Sequence, residues 1–547
     1  MRSSLTSSAT HLAAALLATT LLADAAHAAP LLSTHVPASV TNHRAALVTA
    51  ADPNRVLRLA IALPMRNQTE LDALLAEIYN PASPNFRHYL TVPQFTEKFG
   101  PSEADYAAAI KFFSAQGLTI TATAANRYMI DATGRVADLQ RALHVKLGMY
   151  KHPTENRLFI APDREPTLDL GVSILHIVGL NDFTLPSPRR AQRDPSEARS
   201  RALTGSGPGG NYLGSDIRAA YYGATTLTGA GQSLGLMELA PYNPVNITNY
   251  FTKFGPPLTA AVVPVSTDGS PATCTGKCPD GEQALDIEYA ISMAPGLTQV
   301  QVYTAQTADS VLNRMASDNT SAQLSTSWGW GEEQATDDPI FKEMAAQGQS
   351  MLTASGDYST LVKSGPWPEE SAWITGVGGT DLTTTGPGGA WKAESGWADS
   401  AGGPSVDKAI TIPAYQVTFV TKANGGSAKL RNVPDIGGDA NFDNYECYQL
   451  TCEGGWGGTS FASPIWTGFI ALANQAAASQ GLPRVGFLNP VAYTLGAQLG
   501  YHTLFHDQIS GTSGKFTAVR GFDLVTGFGS PNGPGLIDAL VAPLAAP

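Results

Sequence analysis

Gly454-Gly455-Trp456-Gly457-Gly458-Thr459-Ser460-Phe461-Ala462-Ser463-Pro464 runs from a glycine-rich turn into an apolar stretch that predicts a helix over 461–477. Glycines let the backbone approach Ser460 sharply, and a helix N-terminus places backbone donors and positive dipole character beside its hydroxyl. An N-cap serine has the same setting, so the surroundings must separate capping from chemistry. Upstream, short apolar strands at 233–239, 298–303, 323–327, 351–354 and 372–377 alternate with helical stretches at 282–293, 310–316 and 339–346. The alternation predicts an α/β unit, a mostly parallel sheet flanked by helices with functional groups gathered at strand ends.

Within that unit, Asp280-Gly281-Glu282-Gln283-Ala284-Leu285-Asp286-Ile287-Glu288 reads as helix. The i,i+4 spacing puts Glu282 and Asp286 on one face, where like charges repel. A surface helix tolerates this at little cost, so solvated acids are one reading. In the other, coupled carboxyls share a proton, one accepting it and one orienting the acceptor. No histidine lies between residues 177 and 501. A serine-histidine-aspartate apparatus therefore has only His502 and His506 to draw on in this unit, near a predicted loop.

The whole chain, at 547 residues, exceeds one ordinary domain, and its 54 Gly and 37 Pro imply many turns without a collagen-like period. A net charge of -12 gives no reason to expect a phosphate-binding surface, so nucleic acid is not an expected partner. Residues 1–28 carry Arg2, an apolar run over 12–22 and the small-x-small triplet Ala26-His27-Ala28, the pattern of a signal peptide cleaved after Ala28. No later run is long enough for a membrane span, so a secreted, extracellular protein is expected, free of the membrane after signal removal. Cys274, Cys278, Cys447 and Cys452 suggest two local staples, although four cysteines allow three pairings.

Leu71, Leu74, Leu75 and Ile78 share a helical face, residues 106–113 repeat the pattern, and 119–130 alternates as a strand would, which together predict a compact α+β unit. After Leu185 the chain turns rich in Pro, Arg, Ser and Gly, the composition of an exposed linker that is easily cut, with Arg189, Arg190, Arg193, Arg199 and Arg201 as handles.

These motifs resemble the sedolisin family of serine-carboxyl peptidases over nearly all of the exported chain. Gly458-Thr459-Ser460-Phe461-Ala462-Ser463-Pro464 is similar to its nucleophile motif, Glu282 to Asp286 to its helix motif, and Ser355-Gly356-Asp357 to its third-acid turn. Glu238, closing Leu234-Gly235-Leu236-Met237-Glu238, and Trp328, in Ser327-Trp328-Gly329, match a supporting network of kumamolisin-like members; Val433-Pro434-Asp435-Ile436 resembles a further family stretch. The resemblance implies a subtilisin-like sheet preceded by an activation prodomain, divided as signal peptide 1–28, prodomain 29–185, linker with the maturation site 186–210 and peptidase 211–547. It also implies catalytic Ser460, Glu282, Asp286 and Asp357, and one structural calcium ion held by Asp507, Gln508, Val519, Gly521 and Asp523, oxygen ligation suiting a hard cation.

Its implied activity is hydrolysis of protein and peptide substrates by a secreted, acid-acting endopeptidase, with the chain's own prodomain as intramolecular inhibitor and a monomer as the expected state. Acidification would weaken charged prodomain contacts and permit cutting in the linker. A tripeptidyl-peptidase of the same fold, a non-catalytic secreted binding protein, a subtilisin-like alkaline protease and a glycosidase are the competing readings. Two departures from the family pattern are Tyr358-Ser359 after Asp357, which leaves the acid itself in place, and the segment 394–405, which bears on the rim of the substrate cleft; Val519 stands where many members have glycine.

Overall fold

The computed structural model describes residues 31, 34–192, 203–223, 225–331, 334–361 and 367–542. The predicted signal peptide and linker residues Arg193, Arg199 and Arg201 lie outside the described residues.

In the N-terminal unit, strand Val56–Ala62 lies between Met129–Arg135 and His176–Val178, with Thr119–Thr123 on the outer side of Met129–Arg135, all antiparallel. Helix Gln68–Ile78 buries Leu71, Leu75 and Ile78, as its apolar spacing predicts. The next two helices are started by their caps: Thr91 and Gln94 form a capping box, and Ser102 Oγ accepts from Asp105 N at 3.0 Å. The alternation over 119–130 belongs to two strands rather than one, because a turn with Arg127 at φ 59° reverses the chain. Alternation alone does not register such a reversal.

The C-terminal unit is built on an eight-stranded sheet. Its spatial order is Ala261–Ser266, Gln299–Thr304, Ser233–Glu238, Gln323–Thr326, Ser350–Ala354, Thr375–Thr384 and Trp391–Gly396, with Ile436–Asp439 also paired to Thr375–Thr384. Every pairing is parallel except the hairpin of Thr375–Thr384 with Trp391–Gly396. Connections leave Ser233–Glu238 to opposite sides, so a crevice opens at the carboxyl ends of the central strands. Glu238 ends one of these strands, and Ser327-Trp328 and Ser355-Gly356-Asp357 directly follow two others.

Helices Gly281–Met293 and Thr459–Ser479 pack together against this sheet. Tyr289 meets Phe461 edge-on at 4.8 Å, and a Cβ on Gly468 would come within 2.8 Å of the Ala290 carbonyl oxygen. Ala284, Leu285, Ile287, Ala290, Ile291 and Met293 surround the first helix with apolar groups, and every residue of it is buried. The solvated-surface reading of Glu282 and Asp286 is thereby overturned.

The two units share an apolar layer in which Leu71, Leu75, Phe95 and Phe99 join Val311, Ile340, Phe341 and Met344. Tyr128 Oη donates to the Thr336 carbonyl at 2.9 Å, and Asn126 Nδ2 to Glu343 Oε2 at 2.7 Å. The cysteines form the local disulfides Cys274–Cys278 and Cys447–Cys452. Among the described residues no helix is long and apolar enough to cross a membrane.

Beneath the sheet, Arg431 pairs with Asp435 through Nη1–Oδ1 at 2.8 Å and Nη2–Oδ2 at 2.5 Å, both side chains fully buried. Asp435 also accepts from Gly376 N and Tyr493 Oη at 2.8 Å each, tying three segments together. Asp435→Ala would leave a guanidinium buried without its counter-charge, and a loss of about 3–5 kcal/mol is expected. Urea unfolding of the wild-type and variant chains checks it.

Candidate active site

Ser460 enters the site at the first turn of Thr459–Ser479, after Gly458 at φ 127°, a backbone angle that only glycine adopts easily. Its side chain is buried, as are Glu282 and Asp286, 3% and 0% exposed, and Glu238. Ser327 Oγ donates to Asp286 Oδ1 at 2.8 Å, and Trp328 Nε1 donates to Glu238 Oε2 at 2.8 Å. Burial raises all three acids. Glu238 reaches about 8 despite the Trp328 donor, with Glu282 adding to the rise. Asp286 is raised by burial and then by Glu238, and Glu282 by burial and then by Asp286, against the pull of Arg190 and the facing Ser460 hydroxyl. These mutual effects place Ser460, Glu282, Asp286 and Glu238 in one interacting series. Among the described residues, neither Glu282 oxygen nor Ser460 Oγ has a hydrogen bond of ordinary geometry, which leaves both groups available to a reacting molecule.

Asp357 stands on the other side of the nucleophile. Thr459 donates to its Oδ1 twice, from N at 2.8 Å and Oγ1 at 2.9 Å, while buried Oδ2 has no partner among the described residues. Burial lifts Asp357 to about 7, against the Thr459 donors and nearby Arg189. An acid with one oxygen saturated by donors can carry a proton on the other and donate from it.

Residues 187–192 occupy the cleft. Composition argues for an exposed tether here; instead Ser187–Pro188 pairs antiparallel with Trp328–Gly329, and Ala191–Gln192 with Trp456–Gly457. Ser460 N donates to the Arg189 carbonyl oxygen at 3.1 Å, and Arg189 N to the Ser327 carbonyl at 2.9 Å. A Cβ on Gly458 would lie 2.4 Å from that Arg189 oxygen and 2.6 Å from Asp357 Oδ2, so the two oxygens share one small space. Arg189 Nη2 meets Glu369 Oε2 at 2.9 Å, and Arg190 pairs with Glu446. Burial lifts Glu369 to about 7 against the pull of Arg189.

Sequence reasoning placed Ser460, Glu282, Asp286, Glu238, Trp328 and Asp357 in the site, and they do converge. It assigned no role to Ser327 or Thr459, although both lie inside quoted motifs, and it missed Glu369 and Glu446, which no motif marks. His506 stacks on Trp391 at 4.1 Å and is lowered to about 4 by burial. Ser460 Oγ has no histidine partner among the described residues.

Asp507, Gln508, Val519, Gly521 and Asp523 also converge. Asp523 accepts from Val519 N at 3.0 Å and from Val525 N and Thr526 N at 2.8 Å each; Asp507 accepts from Gly521 N at 3.1 Å. Burial lifts Asp523 to about 7, the charge of Asp507 adding to it. Among the described residues, no donor reaches the carbonyl oxygens of Gln508, Val519 or Gly521. Two acids and three donor-free carbonyls in one loop fit a hard cation.

The family described as "Pro-kumamolisin, activation domain" matches residues 43–183. Kumamolisin of Bacillus sp. (strain MN-32) is 29% identical over 521 residues, spanning 88% of this chain and 92% of that protein. Xanthomonalisin of Xanthomonas sp. (strain T-22) is 27% identical over 557 residues, spanning 89% of this chain and 65% of that protein. The solved structure of Pseudomonas sedolisin, a serine-carboxyl proteinase complexed with two molecules of pseudo-iodotyrostatin, superposes with a TM-score of 0.53 at 24% identity, covering 62% of this chain and 98% of that one. With the activation domain matched, relatives of one kind along most of the chain and the sheet shared, the chain is similar to the sedolisin family of serine-carboxyl peptidases, and these homologues indicate a peptidase.

Proposed function

We propose that the protein is the secreted zymogen of an acid-acting endopeptidase, organised as signal peptide 1–28, prodomain 29–185, cut linker 186–210 and peptidase 211–547. The observation that carries this reading is the buried series Ser460, Glu282, Asp286 and Glu238, in which the groups able to take the hydroxyl proton are carboxyls. The local disulfides agree with export. Endopeptidase rather than tripeptidyl-peptidase action is favoured by a cleft that pairs with the chain on both sides of Arg189 and Arg190.

In the mechanism, Glu282 takes the Ser460 proton as Oγ attacks the peptide carbonyl carbon, and Asp286, held by Ser327 and next to Glu238, keeps Glu282 in position. Trp328 fixes Glu238. Protonated Asp357 donates from Oδ2 to the developing oxyanion, and Ser460 N–H is the second donor. The proton returns through Glu282 to the leaving amine, and water then hydrolyses the acyl ester by the same route.

The direction of the pH dependence follows. Asp357, pushed up to about 7, is a neutral donor below that pH and a repelling anion above it. At the acid end, activity falls once the carboxyl series holds too many protons to accept another. A histidine base would lose activity in acid and gain it toward neutral pH.

One calcium ion is assigned to the carboxylates of Asp507 and Asp523 with the carbonyls of Gln508, Val519 and Gly521. It would supply positive charge to the loop and fix its shape, without taking part in the reaction.

Peptide hydrolysis by acid-matured enzyme is expected to peak below pH 7 and fall as pH rises through about 7; an optimum near 8 would reject the carboxyl mechanism. Asp357→Ala should lower kcat/KM by about 10²–10³-fold, and Ser460→Ala zymogen should keep its prodomain in acid. For the loop, dialysis against a calcium chelator should lower the thermal unfolding midpoint of the zymogen by several degrees and added calcium should restore it, with no such response in Asp523→Ala.

A further inference from the structure

We propose that Arg189–Arg190 is the bond cut in maturation, and that the pockets its side chains fill make the mature enzyme selective for paired basic residues. Glu369 reads the residue before the scissile bond; Glu446 and Trp456 read the residue after it. The inference rests on the peptidase reading above and names its substrate class.

The backbone fixes the register. The Arg189 carbonyl oxygen receives the Ser460 N–H and crowds the same Gly458 face as the unpartnered Oδ2 of Asp357. These are the two donors a tetrahedral oxyanion needs, and the carbonyl they face belongs to Arg189. Strand pairing with Trp328–Gly329 before this bond and Trp456–Gly457 after it holds the chain extended across the nucleophile. Ser460 Oγ would add to the Arg189 carbonyl carbon, and the bond to Arg190 N would break with a proton passing to that nitrogen. Water then splits the ester, leaving a carboxylate on Arg189 and an amine on Arg190.

The side chains fix the class of substrate. Arg189 and Glu369 are 3% and 1% exposed at the side chain, so neither charge is balanced by water. The Tyr358 ring lies 5.2 Å from the guanidinium carbon, and Tyr358 Oη donates to Glu369 Oε1. Tyr358 is the residue at which the turn after Asp357 departs from the family pattern. Arg190 lies 3.7 Å over Trp456 and 4.9 Å over Tyr448, with its charge on buried Glu446. Its guanidinium rests so closely on the start of Gly281–Met293 that a Cβ at Gly281 would come within 2.2 Å of Nη1. An apolar side chain in either pocket would leave buried glutamate oxygens without their hydrogen-bond donor, and sites built around a polar partner discriminate strongly against ligands that lack it. When the linker leaves, both pockets stand ready for arginine or lysine from another chain.

The test begins with purified full-length zymogen held in acid and read by intact mass and N-terminal sequencing, where Arg190 is the expected first residue. Mature enzyme is then given peptides differing only at the two positions: Arg-Arg, Leu-Arg, Arg-Leu and Leu-Leu. The expected kcat/KM preference for Arg over Leu before the bond is at least about tenfold. Glu369→Gln should abolish it while leaving the preference after the bond, and Glu446→Gln should do the converse. Each preference is a ratio within one sample, so incomplete folding of a variant cancels. A mature start elsewhere, a wild-type ratio near one, or a ratio unmoved by Glu369→Gln overturns the inference while peptide cleavage that is lost in Ser460→Ala keeps the peptidase reading. Failure of wild type to cut any peptide, or equal processing by Ser460→Ala, overturns both.

Discussion

Glu238, Glu282 and Asp286 are withdrawn from water between the sheet and the helix Thr459–Ser479, and a carboxylate so placed costs several kcal/mol unless it is paired or protonated. The fold supplies too few donors to neutralise all three: Ser327 serves Asp286, Trp328 serves Glu238, and both oxygens of Glu282 remain open. Protonation settles the balance. Glu238 raises Asp286, Asp286 raises Glu282 and Glu282 raises Glu238, so protons are shared along the series, and among the described residues the member facing Ser460 is the one without a fixed hydrogen-bond partner. A proton acceptor kept unsatisfied in a dry site is strained toward reaction. The tight glycine contacts follow from the same constraint, since the Gly468 approach to Ala290 and the Gly458 backbone angle bring the serine helix close to the acids.

Much of this was legible in the residues. Strand-helix alternation located the central strands to within a few residues, and the absence of histidine from 177–501 excluded the usual base. Periodicity could not reveal that the acid helix is enclosed on all sides: Glu282 and Asp286 make an acidic stripe that looks like a surface, and only the sheet and helix around it decide otherwise. Burial of Arg189 was equally hidden. Ser-Pro-Arg-Arg has the composition of a tether, and its order comes from partners more than a hundred residues away, Ser327, Glu369 and Glu446. Local sequence carries no trace of an ion pair whose other half lies across the fold.

The same proton accounting bears on how the prodomain is held. At the interface, Asp131 beside Ser310 is lifted to about 7, chiefly by burial, with Asp268 and Asp309 adding to the rise and Arg314 opposing it. Glu343, covered by Asn126, is lifted to about 8 by burial, against donors from Asn126 and Gln347. Groups raised on docking take up protons as the units associate, so their contribution is full below the ordinary carboxyl range and fades as pH rises through 7 to 8. For these two contacts acid tightens the complex. That runs against the expectation that acidification weakens the charged contacts; the described ion pairs between the units that it can loosen are Lys342–Asp72, whose acid is half-exposed, and Arg58–Asp268, 3.9 Å apart.

Release then has to come from the covalent connection. While 187–192 remain continuous, the two backbone pairings and the two arginine pockets act as one tethered ligand with the prodomain interface, and each part raises the effective concentration of the other. The proposed cut between the arginines would remove that coupling at once. After that cut the prodomain would hold alone on its apolar layer and the new amine of Arg190 would be free to leave beside Trp456; the same acid that ties the interface would protonate Asp357 for the cut. On the proposed mechanism acid would promote both holding and cutting, and the irreversible step would decide the outcome because a hydrolysed bond does not re-form when the pockets refill.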